Sequence, residues 1–300
     1  MIRAATVVVC VVLVCLGLAA LPLGAQVPPG TKLHRVGVLW QGGSPPPGPR
    51  MESFREGLRE PGYVEGQNVA IDLRYAETGE RLRALAGELV QLNVNVIVAF
   101  GDQAPAMAQR ATSVVPIVAV ADDIVGTGLV PSLARPGGNM TGMTILSPEL
   151  SAKRLAVLKE LIPKLTRVAV MWDPANRSQL TATEEAARSL SVKLQVLEVR
   201  NRDDVPRAFQ AAKNSRAEAL NVLASPLLSS LQESIMDQAA SNRLPAIYQW
   251  KEHADAGGLI SYGPSLAAIW RQAGLIASKI LKGANPATLP VDVRADHTIE

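Results

Sequence analysis

The sequence predicts an α/β protein with two similar lobes in series, each built on a doubly wound parallel sheet. Two segments, residues 35–40 and 167–172, begin alike: each is an apolar run that starts with arginine, ends with tryptophan and enters a polar or Gly/Pro loop. Such runs are typical of buried parallel strands that lead into a βα unit. An Ala/Leu-rich stretch, a second apolar run and a strand led by proline then follow in both halves. Two such lobes enclose a cleft, where small molecules commonly bind.

In the first half, strands are predicted where apolar runs are bounded by turn-forming residues, and helices where apolar side chains recur every three or four positions. Pro61 ends the first helix, and Leu82, Leu85 and Leu89 share one face of the second. The predicted strands are residues 35–40, 69–75, 94–100, 116–120 and 141–146. The predicted helices are residues 50–60, 80–92, 103–111 and, as a shorter piece, 126–133.

The second half alternates in the same way, with Leu155, Leu158 and Leu161 at helical spacing in its first helix. The predicted helices are residues 148–161, 179–190, 203–213, 227–241 and 264–281. The predicted strands are residues 167–172, 192–199, 219–224, 245–248 and 258–262. Strands that alternate with helices form parallel sheets, and ligands of such sheets lie at the carboxyl ends of the strands.

Residues 1–25 are predicted to be a cleaved signal peptide. One arginine precedes an apolar run from Ala4 to about Leu21, and small residues precede a cut after Ala25. An uncleaved membrane anchor is the alternative, because the run approaches the roughly 18 residues that span a bilayer. Cys10 and Cys15 both lie in this run, so the processed chain holds no cysteine and disulfides do not stabilise it.

Composition and motifs exclude several functional classes. The net charge of +3 is spread along the chain without basic runs or interleaved aromatic residues, so nucleic acid is not an expected partner. The sequence contains neither a phosphate-binding Gly-Lys-Ser/Thr loop nor a Gly-x-Ser-x-Gly elbow. His34, His253 and His297 are isolated and lack the spacing of metal ligands, so they are interpreted as surface residues. No metal, cofactor or catalytic residue is predicted.

Ten residues at or near the predicted strand ends are candidates for ligand binding, because the strand ends of both lobes line the cleft. In the first half they are Trp40, Ser44, Asp102, Gln103, Asp122 and Asp123. In the second half they are Trp172, Asn176, Ser225 and Tyr248.

Each role has a structural alternative. Backbone N–H groups at Gln103 favour an anion, whereas Asp102 reads equally as a plain helix N-cap. Asp122 and Asp123 are candidates for a ligand ammonium group or for a solvated turn. Trp40 and Trp172 either form an apolar wall for the ligand or pack in the core.

Several strings resemble one family, the ABC-transporter substrate-binding proteins of the tryptophan/tyrosine-binding type. The resemblance covers residues 35 to about 290, and its most specific string is Ala134-Arg135-Pro136-Gly137-Gly138-Asn139. Other matching strings are Arg55-Glu56-Gly57-Leu58-Arg59-Glu60, Gly62-Tyr63-Val64-Glu65-Gly66-Gln67-Asn68, Pro116-Ile117-Val118, Ser147-Pro148-Glu149-Leu150 and Ser261-Tyr262-Gly263-Pro264.

The resemblance implies a type I periplasmic binding protein fold: two flavodoxin-like lobes joined by a hinge. The expected N-terminal lobe is residues 33–144 plus 264–285, and the expected C-terminal lobe is residues 145–263. The implied function is that of the periplasmic solute-binding component of an ABC importer. It is not an enzyme, and it delivers a small molecule, such as an amino acid, to a permease in the inner membrane.

Two departures from the family pattern affect these expectations. Residues 286–300 look like a shortened C-terminal tail, in which the last return of the chain to the second lobe is missing. Asp102 stands where relatives often have a small hydroxyl residue, and an acid there repels a ligand carboxylate. The anion role would then fall to backbone N–H groups.

Two other functions compete with the importer. A ligand-responsive periplasmic sensor subunit would share the same fold. A secreted hydrolase or isomerase would use Asp102, Asp122 and Asp123, since paired carboxylates in different environments divide acid and base roles. The enzyme is disfavoured because no nucleophile, metal site or histidine partner accompanies these acids.

Overall fold

The computed structural model describes residues 33–174, 177–293 and 298–299. The predicted signal peptide with both cysteines, Asn176 and His297 lie outside the described residues. Strands in the described part are β1 (His34–Gln41), β2 (Val69–Ala76), β3 (Val96–Phe100), β4 (Ile117–Ala121), β5 (Met140–Thr144), β6 (Arg167–Trp172), β7 (Lys193–Glu198), β8 (Ala219–Val222), β9 (Ala246–Tyr248), β10 (Ile260–Gly263), β11 (Asp292–Val293) and β12 (Thr298–Ile299).

Helices connect these strands much as the sequence predicts. They are α1 (Gly48–Arg59), α2 (Gly79–Gln91), α3 (Gln103–Ala111), α4 (Ser147–Leu161), α5 (Arg177–Ser189), α6 (Asp204–Asn214), α7 (Pro226–Ser230), α8 (Gln232–Ser241), α9 (Lys251–Asp255) and α10 (Leu266–Leu281). The predicted helix over residues 227–241 is interrupted at Leu231, which separates α7 from α8.

The predicted helix over residues 126–133 is wrong, because this segment forms turns. The carboxylate of Asp123 accepts a hydrogen bond from the N–H of Gly126 at 2.7 Å and so closes the first turn. Gly128 has a φ of +74°, a value that glycine adopts readily and other residues avoid. The short helical pattern here is outweighed by turn chemistry.

The two sheets have the same strand order. The first runs β11-β5-β4-β3-β1-β2 and the second β12-β10-β9-β8-β6-β7. Within each, the first five strands of the lobe lie in the order 2-1-3-4-5, which is the flavodoxin-like arrangement. All pairs are parallel except β10 with β12, which is antiparallel. The repeat seen in the sequence is therefore a repeat in three dimensions.

The chain passes between the lobes after β5 and after β10. Helix α10 follows the second sheet in sequence but packs against α1 and against β3, β4 and β5 of the first. At the C-terminus, β11 joins the first sheet and β12 joins the second. The expectation that the tail fails to return to the second lobe is therefore wrong. No helix in the described part of the chain is long and apolar enough to cross a membrane.

Candidate functional site

The carboxyl ends of the strands of both sheets meet where the lobes touch. Asp122 directly follows β4 in the first lobe, and its Oδ2 accepts a hydrogen bond from Nε2 of Gln179 on α5 of the second lobe at 2.8 Å. Trp172 is the last residue of β6 and Trp40 is the last but one of β1, and these two strands hold equivalent places in the two sheets. This region is the candidate site.

Trp40 lies at the end of an aromatic cluster in the first lobe. Its half-buried ring contacts Trp270 of α10 with the ring centroids 5.6 Å apart. Trp270 in turn stacks on Phe100 at 3.7 Å with the two planes nearly parallel. The guanidinium of Arg50 also lies over the ring of Trp40, 5.8 Å from the ring centroid. Trp40 is thus packed against neighbouring side chains and remains partly accessible, as a ligand wall requires.

Trp172 is more deeply buried, with 7% of its surface exposed, and belongs to the hydrophobic core. The guanidinium of Arg177 lies 5.7 Å from its ring centroid, so this arrangement repeats the Trp40–Arg50 pair. The indole N–H of Trp172 is buried and has no hydrogen-bond acceptor among the described residues. The structure therefore favours the core interpretation for most of this ring.

Asp122 and Gln179 form the centre of a polar network that joins the lobes. Gln179 is fully buried. Its Nε2 donates to Asp122 and to the carbonyl oxygen of Ala224, at 2.8 and 2.9 Å, and its Oε1 accepts from the N–H of Ala224 and the hydroxyl of Ser151, at 2.9 and 3.0 Å. All of the bonding capacity of this amide is used internally, which indicates a structural role.

The network continues along α4 to the second crossing of the chain. Ser147 donates its hydroxyl proton to Oδ1 of Asp122 at 2.7 Å. Arg154, which is 1% exposed, donates to the hydroxyl of Ser151 at 2.8 Å and to the carbonyl oxygen of Tyr262 at 3.1 Å. Tyr262 lies in β10, just before the chain returns to the first lobe. The same network therefore contacts the chain at the crossing after β5 and at the crossing after β10.

The carboxyl group of Asp122 has a strongly perturbed pKa. Burial and the nearby carboxylate of Asp102 raise its pKa from 3.8 to about 8, although hydrogen bonds from Ser147 and Gln179 and the charge of Arg154 oppose the rise. His253 was expected at the surface, but it is 2% exposed and stacks on Tyr248. Burial lowers the pKa of His253 to about 4.

These two groups predict a pH dependence of stability. Between about pH 4 and 6.5, His253 binds a proton in the unfolded state but not in the folded state, so its contribution to stability rises with pH. Over the same range Asp122 keeps its proton only in the folded state, so its contribution to stability falls with pH. Above pH 6.5 only Asp122 still changes, so the free energy of unfolding should fall by about 2 kcal/mol between pH 6.5 and 8. Urea titrations at both pH values measure it. Asp122→Asn should remove the fall, and a fall of equal size in that variant would contradict the assignment.

Of the other first-lobe candidates, three form hydrogen bonds within the protein and one lies in an exposed loop. Asp102 stands at the N-terminus of α3, but its side chain makes no cap; Oδ1 accepts from the N–H of Asp122 at 3.2 Å. The N–H of Gln103 donates to Oε1 of Gln41 at 2.8 Å, so this helix end already has an acceptor. Asp123 closes its own turn, and Ser44 lies in an exposed loop.

The remaining second-lobe candidates have structural roles. Ser225 is 5% exposed and accepts a hydrogen bond from the N–H of Leu228 at 2.9 Å, which caps α7. Tyr248 is 2% exposed and packs in the core of the second lobe, where burial raises its pKa to about 12. No cluster of potential metal ligands is found within the described ranges.

Comparison with known proteins agrees with this architecture. The sequence model of the family described as ABC transporter substrate binding protein matches residues 49–299. A tyrosine-binding protein of Clostridioides difficile is 26% identical over 246 residues, which make up 80% of this chain and 70% of that protein.

Solved structures show the same fold. A conserved domain protein of Vibrio cholerae superposes with a TM-score of 0.79 at 25% identity, covering 89% of this chain and 91% of that one. A domain of Streptococcus pneumoniae in complex with L-Trp gives a TM-score of 0.77 at 22% identity, covering 87% and 89%. With two flavodoxin-like lobes in the type I periplasmic binding protein arrangement and a family match over most of its length, this chain belongs to the ABC transporter substrate-binding proteins.

Proposed function

We propose that this chain is the solute-binding component of an ABC importer and that its ligand is an amino acid or a related small molecule held between the lobes. The observation that carries the proposal is the position of Trp40 near the end of β1, since its counterpart Trp172 on the equivalent strand β6 packs largely in the core. The half-buried ring of Trp40 offers an apolar wall at the cleft. The names of two relatives, one tyrosine-binding and one bound to L-Trp, support an aromatic amino acid.

We infer the cellular setting from the family and from the N-terminal sequence. The signal-like pattern of residues 1–25 supports export to the periplasm, where the protein would pass its ligand to a permease in the inner membrane. A hydrolase based on Asp102, Asp122 and Asp123 has little support from the structure. Each of these carboxylates accepts a hydrogen bond from the protein and so helps to hold the fold.

The proposal predicts measurable binding of aromatic amino acids. Calorimetry of the processed chain against the twenty standard amino acids should give a dissociation constant below about 10 μM for L-tryptophan or L-tyrosine, or about −7 kcal/mol. Native mass spectrometry of freshly purified protein should show a carried-over ligand of matching mass. Binding of a non-amino-acid solute, with none of the twenty amino acids bound, would overturn the proposed ligand class.

A further inference from the structure

Buried polar atoms without partners collect beside α9, at the end of β9 in the second lobe. Gln249, only 1% exposed, has no hydrogen-bond partner among the described residues at either Oε1 or Nε2. Oε2 of Glu252, three residues further on, is likewise buried and has no hydrogen-bond partner among the described residues. Buried polar groups in proteins are nearly always hydrogen-bonded, so a cluster of exceptions calls for an explanation, such as a ligand that supplies the missing partners.

Glu252 is oriented by only one of its two carboxylate oxygens. Its Oε1 accepts hydrogen bonds from the hydroxyl of Ser265 at 2.9 Å and from the N–H of Ala267 at 3.1 Å. Ser265 and Ala267 begin α10, which packs on the first lobe, so Glu252 lies where the lobes meet. With Oε1 held in place, Oε2 is a fixed acceptor for a cation.

Arg50, on α1 of the first lobe, carries a positive charge close enough to this carboxylate to interact with it electrostatically. Burial lowers the pKa of Arg50, and the negative charge of Glu252 opposes that change, so the two side chains interact electrostatically across the lobes. They form no ion pair within 4.0 Å of each other. The guanidinium lies 5.8 Å from the ring centroid of Trp40, beside the apolar wall of the cleft. A ligand anion beside Arg50 and a ligand cation beside Glu252 would give each of these charges an opposite partner.

We propose that Arg50 and Glu252 bind the charged head of an α-amino acid, with the ligand carboxylate on the guanidinium of Arg50 and the ligand ammonium group on Oε2 of Glu252. This inference rests on the proposed function and names the residues that would select its ligand class. A guanidinium offers a planar pair of donors that matches a carboxylate. The unpartnered amide of Gln249 would take a further hydrogen bond from the ligand.

This placement differs from the one that the sequence predicts. Asp122 and Asp123 were the expected partners of the ammonium group, but both carboxylates already accept hydrogen bonds from the protein. In the Arg50–Glu252 pair, Oε2 of Glu252 can still accept hydrogen bonds from a ligand, and the guanidinium of Arg50 still offers its positive charge. Burying a charged ligand is tolerated when both of its ends are paired, and this pair offers one partner for each end.

The decisive variant is Glu252→Gln, which keeps the part of the side chain that caps α10. The amide oxygen still accepts from Ser265 and Ala267, while the amide NH₂ replaces Oε2 and presents donors to the ligand ammonium. Binding of L-tryptophan or L-tyrosine should weaken about 10- to 100-fold, the usual scale for a hydrogen bond to a charged group. Asp255→Asn, an exposed change on the same helix, is the matched control and should change affinity less than about 2-fold.

Ligand analogues separate this assignment from a general loss of structure. Glu252→Gln should leave binding of 3-indolepropionic acid, which lacks the ammonium group, nearly unchanged. Arg50→Gln should weaken L-tryptophan binding while leaving tryptamine, which lacks the carboxylate, nearly unchanged. If the wild type binds an amino acid and both variants bind it equally well, or lose acid, amine and amino acid alike, the assignment is overturned while the proposed function stands. If the wild type binds none of the amino acids, both are overturned.

Discussion

Replacing Gln179 by leucine is expected to lower the free energy of unfolding by about 4 kcal/mol, since it leaves several buried polar groups without partners at once. The variant removes the donor to Oδ2 of Asp122 and both hydrogen bonds to the backbone of Ala224. It also removes one of the two acceptors within reach of the Ser151 hydroxyl, while the carbonyl oxygen of Ser147 at 2.7 Å remains. Urea unfolding followed by circular dichroism measures the change.

A matched control is available on the same helix. Thr183 is also fully buried on α5, but its hydroxyl bonds only to the carbonyl oxygen of Gln179, at 2.8 Å, within the helix itself. Thr183→Val should therefore cost no more than about 1 kcal/mol. Equal losses in the two variants would show that general packing on α5, and not the bridge between the lobes, sets the effect.

Loss of the Asp122–Gln179 bond should also loosen the arrangement of the lobes. This bond spans the lobes directly, and the same network reaches Tyr262 at the other crossing through Arg154. Small-angle scattering of the ligand-free Gln179→Leu variant should give a larger radius of gyration than the wild type. An unchanged radius of gyration would indicate that the segments crossing between the lobes, and not this bond, fix the angle between the lobes.

Much of the fold could be predicted because it depends on patterns that are local in sequence. The central strands of each lobe are largely apolar runs, since parallel strands inside a sheet are buried on both faces, whereas the edge strands β2 and β7 contain charged residues. The repeat of Arg-…-Trp runs at 35–40 and 167–172 marks β1 and β6, which the structure places equivalently. The misplaced helix at 126–133 shows the limit of this reasoning, because a side chain outside the segment, Asp123, decides its turn.

The site could be predicted less well, because its roles depend on contacts distant in sequence. Strand-end position predicted Asp122 as a ligand contact, whereas the structure shows its carboxylate bonded to Gln179, which lies 57 residues away in sequence. One signal pointed to Gln179: it shares the helical spacing of the buried positions Thr183 and Ala187, so a polar residue stands on an inward face. Tyr248 shows the converse, because alternate residues of a strand point to opposite faces, and its ring lies among core side chains.

The expected effect of Gly57→Ala is a loss of about 3 kcal/mol of stability, because a methyl group there has no room. Gly57 lies on α1 where it packs on α10, and an added Cβ would overlap the carbonyl oxygen of Arg271 and lie 2.8 Å from its carbonyl carbon. On the facing helix, a Cβ at Gly274 would lie 3.0 Å from the carbonyl carbon of Gly57. Both obstacles are backbone atoms, so relief requires the helices to separate, and overpacking of this kind typically costs 1–3 kcal/mol and occasionally more.

The same substitution at Gly87 should have the opposite sign. Gly87 also lies inside a helix, α2, but an added Cβ there meets nothing within 4 Å. Alanine should stabilise the protein by about 0.5–1 kcal/mol, because it reduces the conformational freedom of the unfolded chain and favours the helix. Thermal unfolding of the two variants side by side tests the pair. If Gly57→Ala were as harmless as Gly87→Ala, the close approach of α1 and α10 would not be present in solution, and α10 would not be firmly seated on the first lobe.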